Sequence, residues 1–274
     1  MSYYRRSRKD AKNKSIIGYL IILVCCCLII TVAYFFIDEK KTRIELDPVT
    51  NCPKDIDSVS SYVAVIFDKT DTYNRIQQTY LKRYFSDFRK NLSLHSKISF
   101  YVITDNDDAD AEIRPEYSIC NPATGTNADS RYQNEKRMKK NWQTKFEQPL
   151  KNAITSYLTP SAANSSPIFE IFQKVALTAF PSDKKAKKKI IIISDMLHHT
   201  DEWSHYDRPL DFDAFSKTPY SKKVSTDLQG ASVEILYISR EGSENIQTTK
   251  HQLFWESYIR ENNGVFKKPE YVDG

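Results

Sequence analysis

The chain has 274 residues, of which 40 are Lys or Arg and 35 are Asp or Glu. Six of the basic residues (Arg5, Arg6, Arg8, Lys9, Lys12, Lys14) and one acid, Asp10, fall in residues 1–15, so the remainder carries 34 of each sign. A remainder balanced in charge excludes a general nucleic-acid binder, whose surface must be basic to meet phosphate.

From Ile16 to Ile37 the sequence IIGYLIILVCCCLIITVAYFFI carries no charge. About 20 apolar residues cross a hydrocarbon core, and a helix apolar on every side for this length is not expected on the surface of a soluble domain. One transmembrane helix is predicted over 16–37. A cleaved signal peptide would have a shorter apolar region of about 7–15 residues and then a small-residue cleavage site, whereas Ala33 is followed by Tyr34, Phe35 and Phe36. The basic tail before the span and the mixed DEKKTR at 38–43 after it predict a cytoplasmic N-terminus and an extracytoplasmic C-terminal domain. A bacterial inner membrane with a periplasmic domain is the expected setting. The alternative is a eukaryotic type II protein, with Asn91 and Asn164 as glycan acceptors. The tail at 1–15 is expected to meet anionic lipid.

Cys25, Cys26 and Cys27 lie within the span and act there as small apolar residues. Cys52 and Cys120 are the two cysteines outside it. An oxidising compartment permits them to pair, although sequence alone does not show that they meet.

Residues 38–58, with Pro48 and Pro53, read as a stalk, and 59–274 as one α/β domain. SYVAVIF (61–67) reads as a buried parallel strand. A helix is predicted over 72–92, where Ile76, Tyr80, Leu81, Tyr84, Phe85 and Phe88 make one stripe. ISFYVIT (98–104) and EYSIC (116–120) read as strands, and 131–158 as a helix with Trp142, Phe146, Leu150, Ile154 and Leu158 on one face. After a turn at 159–167 comes a short helix at 168–179, then the strand IIIIS (190–194). A helix near 217–228, a strand at 232–238 and a helix at 248–261 carrying Leu253, Phe254, Tyr258 and Ile259 complete the pattern. Strands alternating with helices predict a mostly parallel sheet covered on both faces. Ligands meet such sheets at the carboxyl ends of the strands.

The first strand ends in FDKTDTY, which puts Asp68, Thr70 and Thr72 at i, i+2 and i+4. The IIII strand ends in SDM, giving Asp195, and the turn before the short helix holds Ser165 and Ser166. In these residues and in the order of its elements, the stretch from about 60 to 265 resembles a von Willebrand factor type A domain. That resemblance implies a three-layer, doubly wound, mostly parallel sheet, here preceded by the transmembrane helix. It also implies a metal-ion-dependent adhesion site. Asp68, Thr70 and Thr72 fill the family's first loop, with Thr in place of Ser; Asp195 fills the third. The second loop departs from the pattern, since Ser165 or Ser166 stands where the family has Thr. Such hydroxyls and carboxylates suit a hard cation, Mg²⁺ or else Mn²⁺ or Ca²⁺. In the family an open coordination position takes an acidic residue of a partner protein.

The expectation is therefore a membrane-tethered binding protein in a cell-envelope complex, not an enzyme. A metal-free scaffold subunit of a secretion, conjugation or defence assembly is the first alternative. A metal-dependent hydrolase is the second, because HHTDEWSHYD (198–207) gathers His198, His199 and His205 among carboxylates. That spacing matches neither HExxH nor paired CxxC motifs. Asp68 and Asp71 also serve as possible helix caps. DNDDADAE (105–112) lacks the spacing of an EF-hand, and KKAKKK (184–189) reads as a solvated loop. Neither a Gly-rich phosphate loop nor a GxSxG elbow appears.

Overall fold

The computed structural model describes residues 19–34, 44–70, 72–103, 114–124, 134–159, 163–181 and 186–274. They belong to two compact units, Met1–Glu45 and Leu46–Gly274. In the first, residues 19–34 form helix α1, exposed along its length. Among the described residues no helix is long and apolar enough to cross a membrane. The span predicted at 16–37 runs at both ends into residues outside the described ones, and the tail at 1–15 and the acidic run at 105–112 lie wholly outside them.

The second unit is built on a seven-stranded sheet: β1 (Ser61–Asp68), β2 (Ser96–Ile103), β3 (Tyr117–Cys120), β4 (Lys187–Ser194), β5 (Ser232–Ile238), β6 (Val265–Phe266) and β7 (Glu270–Val272). The order is β3-β2-β1-β4-β5-β6, with β7 also beside β5. β3 runs antiparallel to β2 and every other pair is parallel. The chain therefore winds one way from β1 to β3 and the other way from β4, so the strand order reverses between β1 and β4. In doubly wound sheets the ligand crevice opens there, outside the carboxyl ends of the strands.

Successive side chains on a strand face opposite ways, and the IIII run is apolar because both faces of β4 are covered. Ile190 and Ile192 join one core with Ala64, Ile66, Phe169, Phe172, Trp255 and Tyr258. Ile191 and Ile193 join the other with Val65, Phe67, Leu81, Phe85, Phe146 and Leu150. The first layer comes from α5 (Ile168–Thr178) and α8 (Thr249–Glu261), the second from α2 (Arg75–Lys90) and α4 (Gln148–Tyr157). Two residues assigned to buried stripes face solvent instead: Ile76 on α2 and Leu253 on α8. Trp255, on the same helix as Leu253, lies at the centre of the core.

Several boundaries move for local reasons. α2 starts after Asn74, whose side chain accepts from the Ile76 and Gln77 N–H groups in a reciprocal capping box with Gln77. β4 begins at Lys187, because ladder pairing with Ser61–Val63 needs only backbone groups. The helix predicted at 131–158 consists of α3 (Glu135–Trp142), a π-helical turn (Gln143–Glu147) and α4, with 131–133 outside the described residues. Pro149 has no N–H to give the Lys145 carbonyl, and Asn51 Nδ2 donates to that oxygen instead at 3.1 Å. The helix predicted at 217–228 is replaced by α6 (Phe212–Ser216) and α7 (Pro219–Lys223). Thr218 caps the second of these and Pro219 stands at its first position.

The segment read as a stalk is folded from Leu46 onward. Leu46 bridges Pro53, the Thr50 carbonyl accepts from Cys120 N at 2.8 Å, and Cys52 is joined to Cys120 with a Cα–Cα distance of 4.7 Å. Cys120 lies opposite Lys97, at the start of β2. The disulfide thus ties the entering chain to the end of the sheet opposite the ligand crevice.

This burial pattern predicts that Ile192→Ala lowers unfolding free energy by about 2–5 kcal/mol. Leu253→Ala should stay within about 0.5 kcal/mol of the parent. Urea unfolding of the two variants side by side checks both.

Candidate metal centre

Asp68 closes β1 at the reversal point and is buried. Its side chain organises the loop that follows. Oδ1 accepts from the Thr70 backbone N–H at 3.1 Å and from Thr70 Oγ1 at 2.5 Å, so the Asp-x-Thr spacing closes an Asx-type turn on itself. Oδ2 accepts from Ser194 Oγ at 2.7 Å and from Ser166 Oγ at 3.3 Å. One carboxylate therefore joins the loop after β1, the end of β4 and the turn before α5. Beneath it the Tyr73 hydroxyl donates to the Asp68 carbonyl, with the Ile193 carbonyl 3.3 Å away.

Asp195 follows β4 and is also buried. Its Oδ1 accepts from Leu197 N at 2.8 Å and its Oδ2 from Arg240 Nε at 3.0 Å. Burial raises its pKa above the ordinary carboxylate range, to about 7. The charge of Asp68 pushes the same way, while Arg240 and the Leu197 N–H oppose it. Met196 next to it has φ 62°, the left-handed region that costs a side chain energy. Neighbours on both sides hold that conformation. Met196 N donates to Ser194 Oγ at 2.8 Å, and the Met196 carbonyl accepts from Trp255 Nε1 at 2.9 Å and from His251 Nε2 at 3.0 Å.

Thr70, Ser165, Ser166, Asp195, His199 and Tyr206 line a cleft of about 250 Å³ over this centre. Ser166 is the serine whose hydroxyl reaches Asp68; Ser165 lines the rim. Thr72 is exposed and does not line the cleft, and its carbonyl accepts from Arg240. Thr70 and Ser166 each donate their single hydroxyl proton to Asp68, which leaves oxygen lone pairs available to a ligand. Among the described residues no three of His, Cys, Asp or Glu gather as a metal-holding group. Two carboxylates and the hydroxyls of Thr70 and Ser166 gather instead. An all-oxygen set is the kind that hard cations such as Mg²⁺, Mn²⁺ or Ca²⁺ take.

The histidines of 198–207 have other work. His198 is fully buried, and its Nδ1 accepts from Ile168 N at 3.1 Å. It thereby satisfies the start of α5, where Pro167 supplies no side-chain cap. Its Nε2 lies 2.9 Å from the Tyr220 hydroxyl, which donates to Glu170 at 2.5 Å. His205 accepts from His198 N through Nδ1 at 3.3 Å, with His251 Nε2 3.2 Å away. Tyr237 OH lies 2.6 Å from His251 Nδ1. His199 alone reaches the cleft, with Nδ1 3.0 Å from Ser204 Oγ and its backbone bridged to Ser166.

Three contributors carry no motif signal in the sequence. Ser194 reads there as the last residue of a strand. Arg240 and Gln247 sit in the loop after β5, where Gln247 Nε2 donates to the Asp195 carbonyl at 3.1 Å. The available signal was position, since Arg240 stands two residues past the carboxyl end of a central strand.

No protein-family model and no curated protein sequence matches the chain. Among solved structures it is similar to an aerotolerance-related membrane protein from Bacteroides fragilis, at 14% identity over 77% of this chain and 92% of that one, with a TM-score of 0.36. It is also similar to the conserved hypothetical protein BatB from Bacteroides thetaiotaomicron, at 14% identity over 78% and 91%, TM-score 0.38. A third likeness is to proximal thread matrix protein 1 from the mussel byssus, with a zinc-occupied MIDAS motif, at 14% identity over 79% and 43%, TM-score 0.33. Likeness this loose decides nothing about the site of this chain.

Burial keeps three histidines neutral: it lowers His198 to about 3 and His251 to about 4, and His205 well below its usual value. The unfolded chain takes up these protons near pH 6.5, about where free imidazole titrates, and the folded chain does not. From these three groups stability is level above about pH 7 and falls between about pH 6.5 and 4, by up to about 1.4 kcal/mol per pH unit for each histidine. Asp195, raised to about 7 in the folded chain, takes up a proton as pH falls over the same range and offsets about one of the three, so a net fall is expected. Urea midpoints across that range measure it, and a level profile would contradict the neutral network.

Proposed function

We propose that the domain is a type A adhesion module that holds a divalent cation, Mg²⁺ or else Mn²⁺ or Ca²⁺, and through it binds an acidic side chain of a partner protein. Thr70, Ser166 and Asp195 are the ligands in this reading, and Asp68 orients the two hydroxyls. The observation that carries it is the pair of hydrogen bonds from Thr70 Oγ1 and Ser166 Oγ to buried Asp68, which leave hydroxyl lone pairs in a cleft open to solvent. A bound cation supplies an open coordination position for a carboxylate. Ser165 at the rim and Thr72 beyond it are secondary candidates, reached through water if at all.

The anchor at 16–37 belongs to the same reading, with the tail at 1–15 in the cytoplasm and the domain outside, in a cell-envelope complex. Within the domain, Cys52–Cys120 marks the end of the sheet opposite the cleft. The role is binding, not turnover: the buried histidines are held by backbone and tyrosine partners. The second reading, a metal-free scaffold subunit, draws on the positive charge that Arg240 already sets against Asp195.

A ligand that binds only the folded state adds stability of RT ln(1 + [L]/Kd), about 2.7 kcal/mol at 100 times Kd. Thermal melting of the full chain in detergent should show a rise with Mg²⁺, reversed by EDTA and lost in Ser166→Ala. Melting temperatures unmoved by Mg²⁺, Mn²⁺ and Ca²⁺ would favour the metal-free scaffold.

A further inference from the structure

The loop after β5 brings a fixed positive charge to the centre, and this charge has no counterpart in the Asp-x-Thr-x-Thr pattern. Arg240 donates through Nε to Asp195 Oδ2 at 3.0 Å and through a second nitrogen to the Thr72 carbonyl, with its guanidinium 5.9 Å from the centre of the Tyr73 ring. The side chains of Arg240 and Asp195 are only 12% and 10% exposed. The pair is therefore screened far less than a surface ion pair. Its backbone is held as well. Arg240 N donates to Gln247 Oε1 at 2.8 Å, and Gln247 Nε2 donates on to the carbonyls of Asp195 and Ile238. Arg240 is thus built into the site.

We propose that Arg240 is the resident counter-charge of this centre, competing with a divalent cation for Asp195 and making cation binding depend on a partner's carboxylate. The proposal rests on the cation reading given above. Charge counting supplies the reason. With both carboxyls ionised, as a bound cation requires, Asp68 and Asp195 bring two negative charges and Arg240 one positive, so the centre then stands at minus one. A divalent cation takes it to plus one, beside two carboxylates that are themselves buried and so screened less than surface charges. A carboxylate arriving from outside returns it to zero. Without Arg240 the cation alone neutralises the two aspartates, and the arriving carboxylate has less to offset. Arg240 therefore weakens the bare cation and strengthens the coupling between cation and partner. By reciprocity, the cation raises affinity for the carboxylate by the same factor that the carboxylate raises affinity for the cation.

The test is titration of the full chain in detergent with Mn²⁺, the unbound ion counted by its electron paramagnetic resonance. It is run in acetate and in chloride at matched ionic strength, on the parent, Arg240→Gln and Arg240→Lys. In chloride, Arg240→Gln should bind Mn²⁺ more tightly than the parent, by roughly 5–150-fold, the usual range of such couplings. Acetate should tighten the parent and Arg240→Lys, and move Arg240→Gln much less. Equal or weaker Mn²⁺ binding by Arg240→Gln would overturn the proposal while leaving the cation site standing. Binding by the parent that ignores acetate would overturn it too, and needs no variant to fold. Absence of Mn²⁺ binding in parent and variants alike would overturn the cation reading, and this proposal with it.

Discussion

A carboxylate buried at the end of a strand must find hydrogen-bond donors, because burying it alone is costly. Asp68 finds four: the Thr70 N–H and the hydroxyls of Thr70, Ser166 and Ser194. They come from three separate stretches of chain, so satisfying one side chain fixes how three loops meet. The position follows from topology. β1 and β4 are the strands between which the winding reverses, and helices leave to opposite sides there, opening a crevice. The same hydrogen bonds that stabilise Asp68 leave two hydroxyl oxygens presented to that crevice. Stability and the proposed capacity to hold a cation would thus have one structural source.

A second tier supports this one from below. The loop from Met196 to Tyr206 carries a residue at positive φ, and its buried His198 and His205 continue into a polar chain with His251 of α8. Aromatic packing surrounds that chain: Phe169 lies 4.5 Å from His198 and 4.7 Å from Trp255 between ring centres. Buried polar networks are stable when each member is satisfied and costly when one is not. Most members here have partners, whereas among the described residues His205 Nε2 and Trp203 Nε1 meet no hydrogen-bond acceptor or donor. The network holds the second and third loops in register, since His198 caps α5 and the His199 backbone bridges Ser166. Arg240 then closes the top by drawing the β5 loop onto Asp195.

Much of this was legible in the amino-acid order, and the parts that were not share a cause. The central strands announced themselves because burial on both faces demands unbroken apolar runs, as in IIII. Asp68, Thr70 and Asp195 were legible because they stand at the ends of those strands, where a doubly wound sheet puts its ligands. The choice between Ser165 and Ser166 was not, because adjacent residues in a turn differ only in direction. The histidines suggest metal ligands only for the alternative hydrolase reading, from their proximity in sequence, and periodicity says nothing about burial inside an irregular loop. Arg240 carries no local signal because its partner, Asp195, is 45 residues away in sequence. Leu253 stands about half a turn away from His251, Trp255 and Tyr258, on the opposite face of α8, and Ile76 lies off the Gln77–Leu81–Phe85 stripe of α2, so both are exposed despite being apolar. β6 and β7 have two and three residues, too few to show any period.

The measurement that bears most directly on the centre is a crystal structure of the chain grown with Mn²⁺, read by the anomalous scattering of the ion. The account predicts one anomalous peak in the cleft, within coordinating distance of the Thr70 and Ser166 hydroxyls. Density confined to the histidines at 198, 199 and 205, or an empty cleft at saturating Mn²⁺, would contradict it.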